Sequence, residues 1–267
     1  EKLVNRYSLK CTLTSAEGLH IGTGVPSAES DSPFIREADK AFLPGSSLRG
    51  ACRSTVERIL SSLFDRQICC IPFVDNDVTV CHAGNKAKRK EYETATGPEL
   101  ERLIPRMRLC PVCELFGSTL KAAKLKISDA RQMIAEQKEP EQPVRRDGVG
   151  IDRDTETAAP QIKFDYEVLA PKVKFECLIE VENAEEADFA LLFILIQELK
   201  SGIDVGGKKS RGLGRIKLEK DYRVCYIDSD HPLEKYLKGS RQEMKAPAFE
   251  EKLRGHFDRT VEAFRRL

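Results

Sequence analysis

The sequence has no long apolar run, no surplus of either charge and no internal repeat. Its longest uninterrupted apolar stretch, Phe189 to Ile196, is eight residues, far short of the roughly 18 that suggest a membrane span. No charged-then-apolar leader opens it, so a soluble, cytoplasmic protein with no membrane partner is expected. Lys and Arg total 44 against 43 Asp and Glu, a net charge of +1, so bulk charge selects no class of partner. The 17 glycines and 13 prolines in 267 residues are no excess, which excludes a fibrous or disordered chain. The absence of repeats and low-complexity tracts excludes a solenoid. An even cysteine count is also lacking: there are nine, which sits badly with a fully paired disulfide framework. What remains is 40% hydrophobic residues, enough for a core, and 33% charged ones, in a length that suits one large domain or two small ones.

Cys11, Cys52, Cys177 and Cys225 are scattered through apolar-patterned segments, where a cysteine behaves as a small hydrophobe. Cys69, Cys70, Cys81, Cys110 and Cys113 instead crowd into one third of the chain. In LCPVCELFGS the CxxC pair Cys110 and Cys113 lets two thiolates reach one tetrahedral zinc, and two more ligands close a structural site. Cys81 and either Cys69 or Cys70 complete it, with His82 as a substitute; the expected set is Cys70, Cys81, Cys110 and Cys113. A thioredoxin-type redox pair belongs at a strand-to-helix turn, whereas CPVC follows Arg-Met-Arg in an irregular insertion, which favours structural Zn²⁺.

Tyr7, Leu9, Cys11 and Leu13 alternate with Ser8, Lys10 and Thr12, which predicts a half-buried strand. A loop rich in Gly, Ser and acidic residues follows from Gly18 to Lys40. Leu48, Cys52, Val56, Ile59, Leu60 and Leu63 recur at helical spacing after Pro44, with Ser46 or Ser47 as the expected N-cap. Residues 69–113 break the pattern, Lys121 to Asp129 reads as a short strand, and residues 137–160, polar and aperiodic, read as a long exposed loop. Val173 to Val181 alternates again, Asp188 to Lys200 predicts a helix, and GGKKSRGLGR leads into a strand from Arg215. Strand, helix, strand, twice over, is the split βαβ order of a ferredoxin-like α+β domain. Phe249, Leu253, Phe257, Val261 and Phe264 place one apolar stripe on a closing helix.

Two segments have phosphate-type chemistry. In PGSSLRGACR a helix N-terminus offers free N–H groups and a positive dipole end, Arg49 and Arg53 share a face beside it, and Ser46 and Ser47 add hydroxyls. In GGKKSRGLGR adjacent glycines allow close backbone approach among Lys208, Lys209, Arg211 and Arg215. It follows a helix and enters a strand, so it is not a dinucleotide fingerprint. Asp31, in SAESDSPFIRE, has Glu29 and Glu37 near enough to hold a hydrated Mg²⁺, although a lone loop Asp is more often a turn residue. His20, in GLHIGTG, is a packing histidine or a general acid–base. Val149 and Ile151, in DGVGIDRDTETAA, are apolar tips suited to separating stacked bases, with Arg153 beside them for a phosphate.

Taken in order, GLHIGTG, DSPFIRE, LPGSSLRGACRS, CPVCELFGS, SDA, GVGIDRDTETA and GGKKSRGLGR resemble the RAMP superfamily, specifically the repeated backbone subunit of type III CRISPR RNA-guided effector complexes. The resemblance implies a ferredoxin-like (RNA-recognition-motif-like) α+β core with a zinc-binding insertion and a thumb β-hairpin, all in one domain over 1–267. The palm would cover about 1–64, 119–136 and 161–228, the insertion about 65–118, the thumb loop about 137–160 and a helical tail about 229–267. It implies that Ser46, Ser47, Arg49, Arg53, Lys208, Ser210 and Arg211 hold guide phosphates, with Arg153 contacting RNA from the thumb. It further implies a metal-dependent endoribonuclease that cleaves complementary target RNA at Asp31 with Mg²⁺ or another divalent cation. The partners would be a guide CRISPR RNA, the target RNA, other CRISPR effector subunits and further copies of itself or related subunits in a filament. The alternatives are a non-catalytic guide-binding scaffold and a histidine-dependent endoribonuclease that processes guide precursors.

Overall fold

The computed structural model describes residues 2–64, 68–70, 81–134, 139–228, 233–238 and 242–266, with all side chains in them except those at 159–162, 235, 236, 264 and 266. The side chain of the expected stripe residue Phe264, residues 65–67 and 71–80 of the expected insertion, residues 135–138 where the expected palm meets the thumb loop, and residues 229–232 and 239–241 of the expected tail therefore lie outside the description.

β1 (Arg6–Ser15) is followed by β2 (Arg36–Glu37), β3 (Lys40–Leu43) and the helices α1 (Gly45–Leu63), α2 (Lys86–Thr94), α3 (Pro98–Leu103) and α4 (Pro111–Phe116). The short strands β4 (Leu125–Ile127) and β5 (Ala130–Gln132) precede β6 (Val144–Ile151) and β7 (Ala158–Val168), which form a separate two-stranded sheet among the described residues. β8 (Lys174–Glu182), α5 (Glu186–Ser201), β9 (Ile203–Asp204), β10 (Arg215–Leu218) and β11 (Arg223–Ile227) return to the main sheet. The chain closes with α6 (Leu233–Leu237), β12 (Gln242–Lys245) and α7 (Ala246–Arg266).

The two cleanly alternating segments form the centre of the sheet. β1 and β8 pair antiparallel from Arg6↔Glu182 to Thr14↔Lys174, which sets Leu9 opposite Ile179 and Cys11 opposite Cys177 on the buried face. β10 and β11 flank β1, while β4 and β5 flank β8, all antiparallel. With α1 between β1 and β4, and α5 between β8 and β10, the order β10–β1–β8–β4 is the split βαβ arrangement. α1 and α5 pack beneath this sheet. α5 buries residues on nearly every side because α7 covers the flank the sheet does not. Each fully buried Leu, Ile or Phe here contributes about 1.5–3 kcal/mol.

The opposite face is polar and cross-linked by charge. Arg6 and Lys126 both reach Glu182, at 2.5 and 2.6 Å, and Lys174 reaches Glu219 at 2.7 Å. The outward positions of β1 and β8 carry no aromatic residue. The outward positions of the two central strands therefore lack the base-stacking rings by which sheet-type RNA-recognition domains hold RNA.

The expected loop over 137–160 is largely a β-hairpin. β6 and β7 pair from Val144↔Val168 to Val149↔Lys163, and a register irregularity separates this ladder from Ile151↔Ala158. β6 is solvated on both faces, so no apolar alternation marks it. α1 is capped differently from expectation as well. It begins at Gly45, whose N–H donates to Asp129 Oδ1 at 2.7 Å, so a carboxylate from the β4–β5 turn replaces a serine cap. Ser46 and Ser47 fall inside the first turn. The CPVC segment is not irregular either: Cys110 precedes α4 and Cys113 lies in its first turn. Among the described residues no helix is long and apolar enough to cross a membrane.

Candidate nucleic-acid interface and metal centre

Four cysteines from distant points between residues 70 and 113 meet at one point. The Sγ atoms of Cys70, Cys81, Cys110 and Cys113 all lie within 4.8 Å of one another, buried, and none is in a disulfide. Cys70 is 3.4 Å from Cys113 and 3.8 Å from Cys110. A tetrahedral zinc with bonds of about 2.3 Å has sulfur–sulfur edges of about 3.8 Å, so the four sulfurs fit such an ion. Hydrogen bonds shared between the sulfurs pull Cys81 and Cys110 below the usual thiol range and push Cys70 and Cys113 above it. Of the alternatives, Cys69 turns to the Glu57 carbonyl at 3.7 Å, and His82 Nδ1 accepts from the Arg108 amide at 3.2 Å.

Arg53 reaches this centre from α1. Its guanidinium donates to Glu57 and to the Gly117 carbonyl, each at 2.8 Å, and to Cys113 Sγ at 3.5 Å. One turn earlier, Arg49 donates to the Phe116 carbonyl, while its buried Nε has no hydrogen-bond partner among the described residues. Arg49, Ser46, Lys121 and Lys126 line an open cleft of about 510 Å³ at the start of α1. No acidic residue occupies the first turn of α1, and neither serine is spent on capping. Ser46 and Arg49 thus share this cleft, Arg53 lies one turn along the same helix face and is already engaged internally beside Cys113, and Ser47 is not among the residues that line the cleft.

The second group gathers at the base of the β6–β7 hairpin. Here β7 alternates, with Asp165 and Glu167 meeting the loop before β2, and Phe164 and Tyr166 meeting the glycine-rich loop before β10. Lys208 Nζ lies 5.0 Å from the Phe164 ring centre and 4.3 Å from that of Tyr166, and the Arg211 guanidinium is 5.2 Å from Phe164. Burial, then Arg211, lowers the Lys208 pKa. Phe164 lies across from Gly148, where an added Cβ would come within 2.5 Å of the ring. Ser210 is exposed in the turn between Lys208 and Arg211, and Arg153 is exposed in the turn at the hairpin tip, past Val149 and Ile151.

His20 is buried at this base. Its Nδ1 is 2.7 Å from the Glu167 carbonyl, which fixes that nitrogen as the donor, and its Nε2 is 3.2 Å from Ser32 Oγ. Burial lowers its pKa, so it is a neutral packing histidine with both nitrogens engaged. Asp31 is exposed in the same loop. Its N–H donates to Asp165 Oδ1 at 2.9 Å, and its Oδ2 accepts from the Asp165 amide at 3.0 Å. Its Oδ1 has no hydrogen bond among the described residues. The structure does not bring Glu29, Asp31 and Glu37 together as a ligand trio, and Glu37 instead pairs with Arg131 at 3.1 Å. Asp165 escapes sequence reading; its one local signal is an acidic residue between two strand aromatics.

The sequence profile of the RAMP superfamily matches residues 12–217, well over half of the chain. No curated protein sequence matches it significantly. Its fold is similar to that of a chain in the crystal structure of the Csm3-Csm4 subcomplex in the type III-A CRISPR-Cas interference complex. That likeness has a TM-score of 0.51 at 18% identity, over 96% of this chain and 98% of that one.

Proposed function

The chain belongs to the RAMP superfamily, and from that premise we propose that it is a guide-RNA-binding backbone subunit of a type III CRISPR effector complex that cleaves complementary target RNA at Asp31. The observation that carries this reading is the junction at the hairpin base, where Asp31, Lys208 and Arg211 are all anchored to residues 164–167. A hairpin with exposed apolar residues at its end, Val149 and Ile151, is suited to part stacked bases, and cations at its base are suited to the phosphates on either side.

In this reading the β6–β7 hairpin is the thumb, the residues around the four cysteines are a zinc-binding insertion, and the main sheet with α1 and α5 is the palm. The thumb splays one target nucleotide so that its 2′-OH lines up with the adjacent phosphate. The 2′-oxygen loses its proton and bonds to phosphorus, the bond to the 5′-oxygen breaks, and that oxygen takes up a proton. The products are a 2′,3′-cyclic phosphate and a 5′-hydroxyl end. Asp31 Oδ1 faces the 2′-OH and orients it, and Lys208, Ser210, Arg211 and Arg153 hold phosphates. Most of the acceleration comes from this positioning. When bound beside Asp31, a divalent cation such as Mg²⁺ supplies charge neutralisation at the phosphate. Ser46, Ser47 and Arg49 hold a second stretch of guide backbone at the start of α1. Arg53 braces that helix against the metal centre.

The assembled complex with a complementary RNA provides the test. Wild type with Mg²⁺ is expected to cut at regular intervals, and chelator is expected to stop it. Asp31→Asn is expected to bind target equally and leave it intact. A second reading, a silent guide-binding scaffold, draws on the engagement of Asp31 by Asp165, which a mere turn residue would also show. Equal binding with no cleavage by wild type would establish it. A histidine-dependent processing enzyme is disfavoured because both His20 nitrogens are occupied.

A further inference from the structure

Asp31 lies in a loop of small polar residues, yet its backbone and its carboxylate are both held by one residue 134 positions away. The two hydrogen bonds are reciprocal, each amide donating to the other's carboxylate, at 2.9 and 3.0 Å. Asp165 is itself fixed in the ionised form: the Ser30 hydroxyl and the Asp31 amide donate to it, with Arg145 and Lys163 nearby, and its pKa is lowered. Ser30 is buried, which makes its hydroxyl a stationary donor.

The same pattern recurs two residues along β7. The Glu167 amide donates to the Ser32 carbonyl at 3.1 Å. Its carboxylate accepts from the Phe34 amide at 2.6 Å and pairs with Arg36 at 3.0 Å. On the other hairpin strand, Arg145 donates to the Glu29 carbonyl at 3.1 Å. The loop from Glu29 to Arg36 is therefore tied to both strands of the hairpin base.

We propose that Asp165 is the positioning residue for Asp31, and that the loop and the hairpin base move as one body, so that seating the hairpin in the guide–target duplex sets where the Asp31 carboxylate stands. The proposal rests on the reading of Asp31 as the cleaving residue. With Oδ2 occupied, the carboxylate has one orientation and one oxygen to offer. Removing the Asp165 carboxylate frees the Asp31 amide and lets the loop drift, and a misplacement of about 1 Å costs about 100-fold in rate.

The test compares wild type, Asp31→Asn, Asp165→Ala and Asp165→Asn in the guide-loaded complex, by single-turnover cleavage, target binding and hydrogen exchange over residues 27–34. Asp165→Ala is expected to bind target as wild type does, cleave about 10- to 100-fold more slowly and exchange faster in this loop. Asp165→Asn keeps an acceptor oxygen in the same place and is expected to restore most of the rate and the protection. Wild-type cleavage by Asp165→Ala, while Asp31→Asn is inactive, would overturn the positioning role and leave the nuclease reading standing. Slow cleavage by Asp165→Asn with the loop still protected would overturn it too, because the charge itself would then be required. Absence of cleavage in wild type, or wild-type cleavage by Asp31→Asn, would remove the nuclease reading and this role with it.

Discussion

Gly45 begins α1 against the β4–β5 turn, where an added Cβ would stand 2.3 Å from the Ile127 carbonyl oxygen and 2.9 Å from the carbonyl carbon of Ser128. Helix propensity alone predicts that Gly45→Ala stabilises by about 1 kcal/mol. The backbone contact reverses that sign, and a loss of about 1–3 kcal/mol is expected in urea unfolding. His20 makes a pH-dependent contribution. Its folded-state pKa lies below the unfolded value of about 6.5, so stability is present above that pH and falls as the unfolded chain takes up the proton. Between about pH 7.5 and about pH 5.5 the melting temperature of wild type is expected to fall further than that of His20→Gln. Asp165 and Asp129 show why such residues resist sequence reading. Their partners, Asp31 and Gly45, lie far off in the chain, and neither occupies a position that local spacing singles out.

Strands with one buried face were legible. β1 and β8 alternate because the core takes every second residue, and α1 shows helical spacing because one flank meets the sheet and α5. The β6 strand was not legible, since with both faces in water nothing selects residue type by position. The CxxC spacing announced two ligands, but choosing Cys70 over Cys69 needed the direction in which each side chain leaves the backbone. Among the described residues around the four cysteines, α3 buries no residue and α2 only Tyr92. A metal ion is expected to hold this segment. Elemental analysis should find about one zinc per chain, and chelation or Cys113→Ser should lower the melting temperature. Zinc-free protein with every cysteine titrating as a thiol would sink the assignment.

At the scale of the whole molecule, a net charge of +1 conceals a segregation by face. The open side of the sheet spends its cations on Glu176, Glu182 and Glu219, and Lys121 is paired with Glu114 at 2.6 Å, whereas the start of α1 and the glycine-rich loop present Arg49, Lys208 and Arg211, which have no carboxylate partner among the described residues. RNA is expected on the second side. Arg49→Ala and Lys208→Ala should weaken guide binding alike for all sequences, each reducing the salt slope of log K by about 1. A loss that depends on guide sequence would mean that these residues read bases instead.

The register irregularity between Val149 and Ile151 divides the β6–β7 hairpin into two parts with separate constraints. Toward the sheet, every residue of β7 from Lys163 to Val168 has an assigned partner on β6, and a one-residue shift would turn Asp165 and Phe164 to the wrong sides. Beyond the irregularity only one pairing follows before the turn. Residues gained or lost there leave the ladder below in register. The end of the hairpin can therefore change in length and chemistry, adjusting how far it reaches, without disturbing the contacts between Asp165 and Asp31 at its root.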